Sequence, residues 1–217
     1  MSTAPCDAAY DYISNWRRAG PRTHDTFLPK SSICYDRSYV DNIITCPCGR
    51  CKVHRNLLTP EGQQIGQINP TQYSEQIRSR HQSLFALLVW IKKPAFILPF
   101  AEFGVNDSGI LAHLGDRALD EEFYVFRVIR ANIAANENAG RGILVELINQ
   151  IEDSWTDFLR PCIGARTFEK ISPRFKLPFY DQRRIGRGAS SSVFAFKIHD
   201  GYNAIQVCPK YPAFRSI

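Results

Sequence analysis

The stretch Leu144-Val145-Glu146-Leu147-Ile148-Asn149-Gln150-Ile151-Glu152-Asp153-Ser154-Trp155-Thr156-Asp157-Phe158 sets the class of the fold. Leu144, Leu147, Ile148, Ile151, Trp155 and Phe158 recur every three or four residues, while Glu146, Asn149, Gln150, Glu152 and Asp153 fill the opposite side. That period is the signature of a helix with one apolar face, and packing between helices, not a cofactor, is its use. Pro161 ends it, because proline has no amide hydrogen for the helix ladder.

Upstream, the same period predicts three more helices. One begins near Thr71 or Ser74, with Ile77, Leu84, Leu88 and Ile91 on one face, and Pro94 closes it. A short one runs from Ser108 to Leu114, with Asp107 or Ser108 as cap and Gly115 as stop. Another follows Asp120, with Phe123, Phe126, Ile129 or Arg130, and Ile133 on successive turns, and Asn138-Ala139-Gly140 as its end. Downstream of Pro173 the period shortens. Phe175 to Ile198 alternates in short runs around glycine and serine, which reads as strand, tight turn, strand. The expected class is therefore α+β, in three parts. Residues 1–70 form an irregular segment, with loops at Pro21–Ser32 and Thr59–Pro70; residues 71–172 form a helical region; residues 173–217 form an antiparallel hairpin.

The 217 residues are 44% hydrophobic and 22% charged, enough to bury a core. The longest apolar run, Leu84 to Ile91, is too short to cross a membrane, and the first twelve residues lack the basic and apolar regions of a secretory signal. Neither a membrane nor a nucleic acid is the expected partner. The net charge of +6 is concentrated at one end, where residues 160–217 hold eleven Lys or Arg against three acids. A solvated face and phosphate handling both fit that bias, whereas the aromatics interleaved for single-strand binding are missing.

Three of the seven cysteines crowd into Cys46-Pro47-Cys48-Gly49-Arg50-Cys51, with His54 three residues on. An odd count so clustered is not a secreted disulfide framework, and an intracellular location, cytoplasmic or nuclear, is expected. Zinc takes four sulfur or nitrogen ligands in a tetrahedron, and a C-x-x-C turn with glycine suits two of them. Cys48 and Cys51 have that spacing; Cys46 or Cys34, with His54, completes a set. Reduced thiols in a loop beside the helices remain the alternative. A Cys51–His54 nucleophile lacks an orienting acid, and the other histidines stand alone.

The second motif is Ile185-Gly186-Arg187-Gly188-Ala189-Ser190-Ser191-Ser192-Val193, of the form G-x-G-x-x-S-x-V. Glycines in such a turn let backbone amides approach phosphates, and the flanking apolar residues can cover a base. It sits between two predicted strands, unlike the dinucleotide fingerprint and the P-loop, which open into a helix and in the second case need Gly-Lys-Ser/Thr. The segment resembles the Gly-rich loop of eukaryotic-type protein kinases, with Ser191 at the third glycine. More specifically, Leu177-Pro178-Phe179 through Asp200-Gly201-Tyr202, the run Leu84–Ile91 and the Cys-Pro-Cys-x-x-Cys cluster resemble filamentous-fungal proteins in which a helical region precedes a kinase-like domain.

The resemblance implies ATP with Mg as ligand, with Gly186, Gly188 and Ser191 over the phosphates and Ile185 and Val193 over the base. It also implies a phosphate-binding lysine on a third strand. Lys197 comes too early for that strand; Lys210 stands at a suitable distance, though Pro209 just before it would remove a ladder hydrogen bond. No His-Arg-Asp loop or Asp-Phe-Gly segment occurs in these residues. The chain is therefore expected to be a kinase N-lobe cut short, by truncation or mis-splicing, with weak nucleotide binding and no catalytic residue of its own. The alternative is a non-enzymatic helical interaction module with a protein partner, stabilised by zinc, or a pseudokinase relic.

Overall fold

The computed structural model describes residues 3–18, 37–58, 70–133, 137–159, 174, 179–188 and 191–198. The chain divides into two units, Met1–Leu159 and Arg160–Ile217. The first holds all the helices among the described residues: α1 (Pro5–Arg18), α2 (Arg37–Ile44), α3 (Gly49–Leu58), α4 (Pro70–Arg80), α5 (Gln82–Trp90), α6 (Ile97–Glu102), α7 (Asp107–Asp116), α8 (Tyr124–Ile133) and α9 (Glu137–Phe158). The second holds a two-stranded antiparallel sheet, β1 (Phe179–Arg187) and β2 (Ser192–Ile198). The class is α+β, helical first and sheet last.

α9 forms as its stripe dictates. Leu144, Leu147, Ile148, Ile151, Trp155 and Phe158 are all buried. They meet α5 and α8 in a core that includes Phe85, Phe96, Phe100 and Phe126, with the rings of Phe100 and Phe126 edge-on at 5.9 Å. α9 starts earlier than its pattern announces: Asn138-Ala139-Gly140, read as the end of the preceding helix, lies inside it. The first 58 residues also depart from the irregular segment expected of residues 1–70. They contain α1, α2 and α3, whose buried faces among the described side chains are small: Cys6, Ala9, Ile13 and Ser14 on α1, Val40, Ile43 and Ile44 on α2, Cys51, His54 and Leu58 on α3. The loops expected at Pro21–Ser32 and Thr59–Pro70 fall outside the described residues, apart from Pro70 itself, which opens α4.

The single helix expected from about residue 71 to Pro94 is two, α4 and α5, broken at His81 (φ −127°, ψ 23°). His81 offers no side-chain cap to α5. Asp107 supplies it from a distance: its two carboxylate oxygens accept the backbone N–H groups of Ser83 and Leu84, each at 2.9 Å. These are amides that a local cap would otherwise satisfy. Asp107 or Ser108 was expected to cap the next helix, but Asn106 does that, accepting from Gly109 N–H at 2.9 Å. Burial pushes the Asp107 carboxyl up, against the pull of those two amides. At its other end α5 closes before Pro94 through a left-handed residue, Lys92 (φ 61°), with Lys92 N–H bonded to Val89 O and Lys93 N–H to Leu88 O. The Lys93 side chain is buried and pairs with Glu146 on α9 at 3.1 Å.

Replacing Asp107 by alanine strands two helix-start amides, at a cost of about 1–3 kcal/mol. The urea midpoint of Asp107→Ala is expected to drop accordingly, with Asp107→Asn, which keeps an acceptor, losing less; equal midpoints for the alanine variant and the parent would show that the remote cap contributes nothing.

A candidate metal centre and a glycine hairpin

The cysteine centre is assembled at two helix starts. α2 ends at Ile44, and Cys46 N–H returns to Ile43 O at 3.2 Å. Arg55, reaching back from α3, donates to Ile44 O and Cys46 O, each at 2.8 Å, and so fixes the turn that carries Cys46. Cys48, which follows Pro47, occupies the position just before α3. Its carbonyl accepts from Lys52 N–H at 3.0 Å and its sulfur accepts from Cys51 N–H at 3.4 Å. Cys51 lies in the first turn of the same helix. Cys6 lies in the first turn of α1, whose start is set by Asp7 and Ala8 N–H groups bonding Ala4 O.

The four sulfurs of Cys6, Cys46, Cys48 and Cys51 lie within 4.8 Å of one another. Cys6 Sγ is 3.4 Å from Cys46 Sγ and 3.5 Å from Cys48 Sγ. A tetrahedral metal with bonds of about 2.3 Å separates its sulfurs by about 3.8 Å, inside the observed spread. All four cysteines are free thiols, three buried and Cys48 partly so. The group could hold a metal ion. Positive charge is close to it: two helix N-termini face it, and the Arg50 guanidinium sits 3.4 Å from Cys6 Sγ while bonded to Asp7 at 2.7 Å. As thiols, Cys6, Cys48 and Cys51 differ. Burial, joined by the neighbouring Cys46 and Cys48 thiols, pushes Cys6 up to about 11, and burial drives Cys51 higher still. Burial also raises Cys48, but the Cys51 backbone N–H and the surrounding thiols outweigh it and bring it down to about 7.

Of the residues proposed from the sequence, Cys46, Cys48 and Cys51 are brought together. His54 is not with them; it lies one turn further along α3, buried, its ring 5.4 Å from Phe96 and its Nδ1 without a hydrogen bond. Cys6 takes the fourth place. Cys34 is outside the described residues. Sequence reading passed over Cys6 because forty residues separate it from Cys46; the signal was its position at the head of the stripe Cys6, Ala9, Ile13.

In the second unit, β1 and β2 pair antiparallel with Gly186 opposite Val193 and Arg187 opposite Ser192, and the pairing slips by a residue between Arg184 and Gly186, where Ile185 sits. Gly188 N–H bonds Ser191 O at 2.7 Å and closes the turn. Ile185 and Val193 are 61% and 53% exposed, and Phe194 and Phe196 are exposed too. A Cβ on Gly186 would make only ordinary contact with Val193, at 3.8 Å, whereas one on Gly188 would press on Ser191 Oγ at 3.1 Å. Lys210 is outside the described residues. Lys197 pairs with Asp181 at 2.7 Å. Among the described residues no helix is long and apolar enough to cross a membrane.

Comparison of the chain with protein-family models, with curated proteins and with solved structures finds no match.

His54 makes a testable contribution to acid sensitivity. Burial, with Lys93 and Arg50 nearby, lowers it from 6.5 to about 4. The folded chain thus holds the ring neutral where the unfolded chain protonates it. The stabilisation is full above pH 6.5 and is lost as pH falls towards 4, by about 2 kcal/mol after allowing for residual solvent around the ring. Relative to the parent, His54→Leu is expected to gain stability over that interval, and to match it within about 1 kcal/mol at pH 7.5, since Nδ1 has no partner to lose. Urea unfolding of both proteins at pH 7.5 and 5 checks this; a stability difference that does not change with pH would contradict it.

Proposed function

We propose that this chain is the leading portion of a protein kinase-like protein, in which the hairpin of residues 179–198 covers the phosphates and base of a Mg-bound ATP. The observation that supports the reading is the hairpin itself: a glycine-rich turn between two antiparallel strands, with Gly186 paired to Val193 and the apolar Ile185 and Val193 exposed beside it. A turn of this kind lets amides approach phosphates where a side chain would intervene. In that role Gly186, Gly188 and Ser191 lie over the phosphates, Ile185 and Val193 over the base, and Lys210 is the candidate for the α- and β-phosphates. These residues carry no His-Arg-Asp or Asp-Phe-Gly segment, so the reading assigns them nucleotide covering and not turnover.

A second reading concerns the helical unit alone, and the convergence of four thiols favours it. In this reading the unit is a non-enzymatic interaction module in a reducing compartment, held by a structural zinc. Four protein sulfurs leave no open position for a substrate or water, which is the arrangement of structural and not catalytic zinc. The two readings concern different units and are compatible.

The kinase-type reading is tested by titrating the 217-residue protein with a fluorescent ATP analogue, with and without Mg2+. Weak, saturable, Mg-dependent binding is expected. Gly186→Ala is expected to weaken it by about tenfold, or about 1.4 kcal/mol. Because the added methyl makes only ordinary contact with Val193, that loss would report a blocked phosphate and not a broken hairpin. No binding, or equal binding by the variant, would sink the reading.

A further inference from the structure

We propose that one Zn2+ held by Cys6, Cys46, Cys48 and Cys51 is the clasp that fastens α1 to the rest of the helical unit, with Cys6 as the ligand that makes the connection. This deepens the zinc reading above and rests on it. The four ligands come from two places far apart in sequence: Cys6 from the first turn of α1, the other three from residues 46–51 at the corner of α2 and α3. Any ion that all four sulfurs bind therefore ties α1 to that corner.

The chemistry of the donor set selects the ion. Four sulfurs and no oxygen suit a soft or borderline cation that accepts tetrahedral geometry, and zinc does so without a redox change. Binding breaks four S–H bonds, forms four Zn–S bonds and releases four protons to water; no electron changes hands. The resulting centre carries two negative charges. Arg50 beside Cys6, the Cys51 N–H on Cys48 and the two helix N-termini are placed to offset them.

Apart from the sulfurs, the first turn of α1 is tied to α3 by the part-exposed Asp7–Arg50 ion pair at 2.7 Å. Among the described side chains α1 buries Cys6, Ala9, Ile13 and Ser14, and a helix of fourteen residues is marginal in isolation. Docked, it does substantial work. Tyr10 stacks on Trp90 of α5 with ring centroids 5.4 Å apart, and Lys92 lies 4.2 Å over the Tyr10 ring. Trp90 in turn meets Phe158 of α9. Releasing α1 thus uncovers the Trp90 side of the core. Metal occupancy becomes a condition for closing the helical unit, not an ornament on it.

The test combines native mass spectrometry for zinc stoichiometry with hydrogen exchange on the 217-residue protein, zinc-loaded and after chelation. One zinc per chain is expected. Chelation should accelerate exchange of α1 amides at least tenfold while those of Leu144–Phe158 in α9 stay protected. Cys6→Ser should weaken zinc more than about a hundredfold, beyond the loss usual for an outer-shell partner. Chelation of the parent protein keeps the question answerable if that variant misfolds. Zinc bound at 1:1 with α1 exchange unchanged by chelation, or with unchanged affinity in Cys6→Ser, would overturn the clasp and leave the zinc reading standing. A stoichiometry near zero in protein supplied with zinc would overturn both.

Discussion

Four sulfur atoms crowded at the start of two helices are the constraint on which the first third of the molecule depends. Thiols do not attract one another strongly, and three of the four are buried. Left protonated, they do little to draw α1, α2 and α3 together, and among the described side chains each of these helices buries only two or three apolar residues. Converted to thiolates around a cation they become a shared anchor, with Arg50, Arg55 and backbone amides of α3 arranged around them. The later helices need no such device, since α5, α6, α8 and α9 bury Phe85, Phe100, Phe126 and Trp155 in one core, with Phe96 from the turn before α6. The unit thus joins a hydrophobic core at one end to a sulfur-built corner at the other.

This division explains which parts of the fold were legible in the sequence. α9 was, because six apolar residues at helical spacing leave no competing pattern. The strand–turn–strand of residues 179–198 was as well, since glycines between β-branched and aromatic residues mark a hairpin. α1 to α3 were not: they are only fourteen, eight and ten residues long, and their apolar residues are interleaved with polar ones too closely for a long one-faced stripe to stand out. The break at His81 was hidden for a different reason. No glycine or proline marks it, and the cap that permits it comes from Asp107, whose distance in sequence conceals the pairing.

The cysteine centre was half legible. Cys48-x-x-Cys51 and Cys46 announced themselves by spacing, but spacing also recruited His54, which is the nearest imidazole in sequence. Helix geometry separates them. Cys51 stands in the first turn of α3, facing the sulfurs, while His54 one turn on faces Phe96 and the Lys93–Glu146 pair. The fourth member, Cys6, heads the Cys6, Ala9, Ile13 stripe, and the fold brings it to the others by docking α1 there. Lys210 lies outside the described residues, so the hairpin does not bear on it.

X-ray absorption at the zinc edge of the zinc-loaded protein bears most directly on the sulfur-built corner. Four sulfur neighbours at about 2.3 Å and no nearer light atom are the predicted first shell. A shell of three sulfurs with one nitrogen at about 2.0 Å would contradict the account, because it would put an imidazole where the structure puts Cys6.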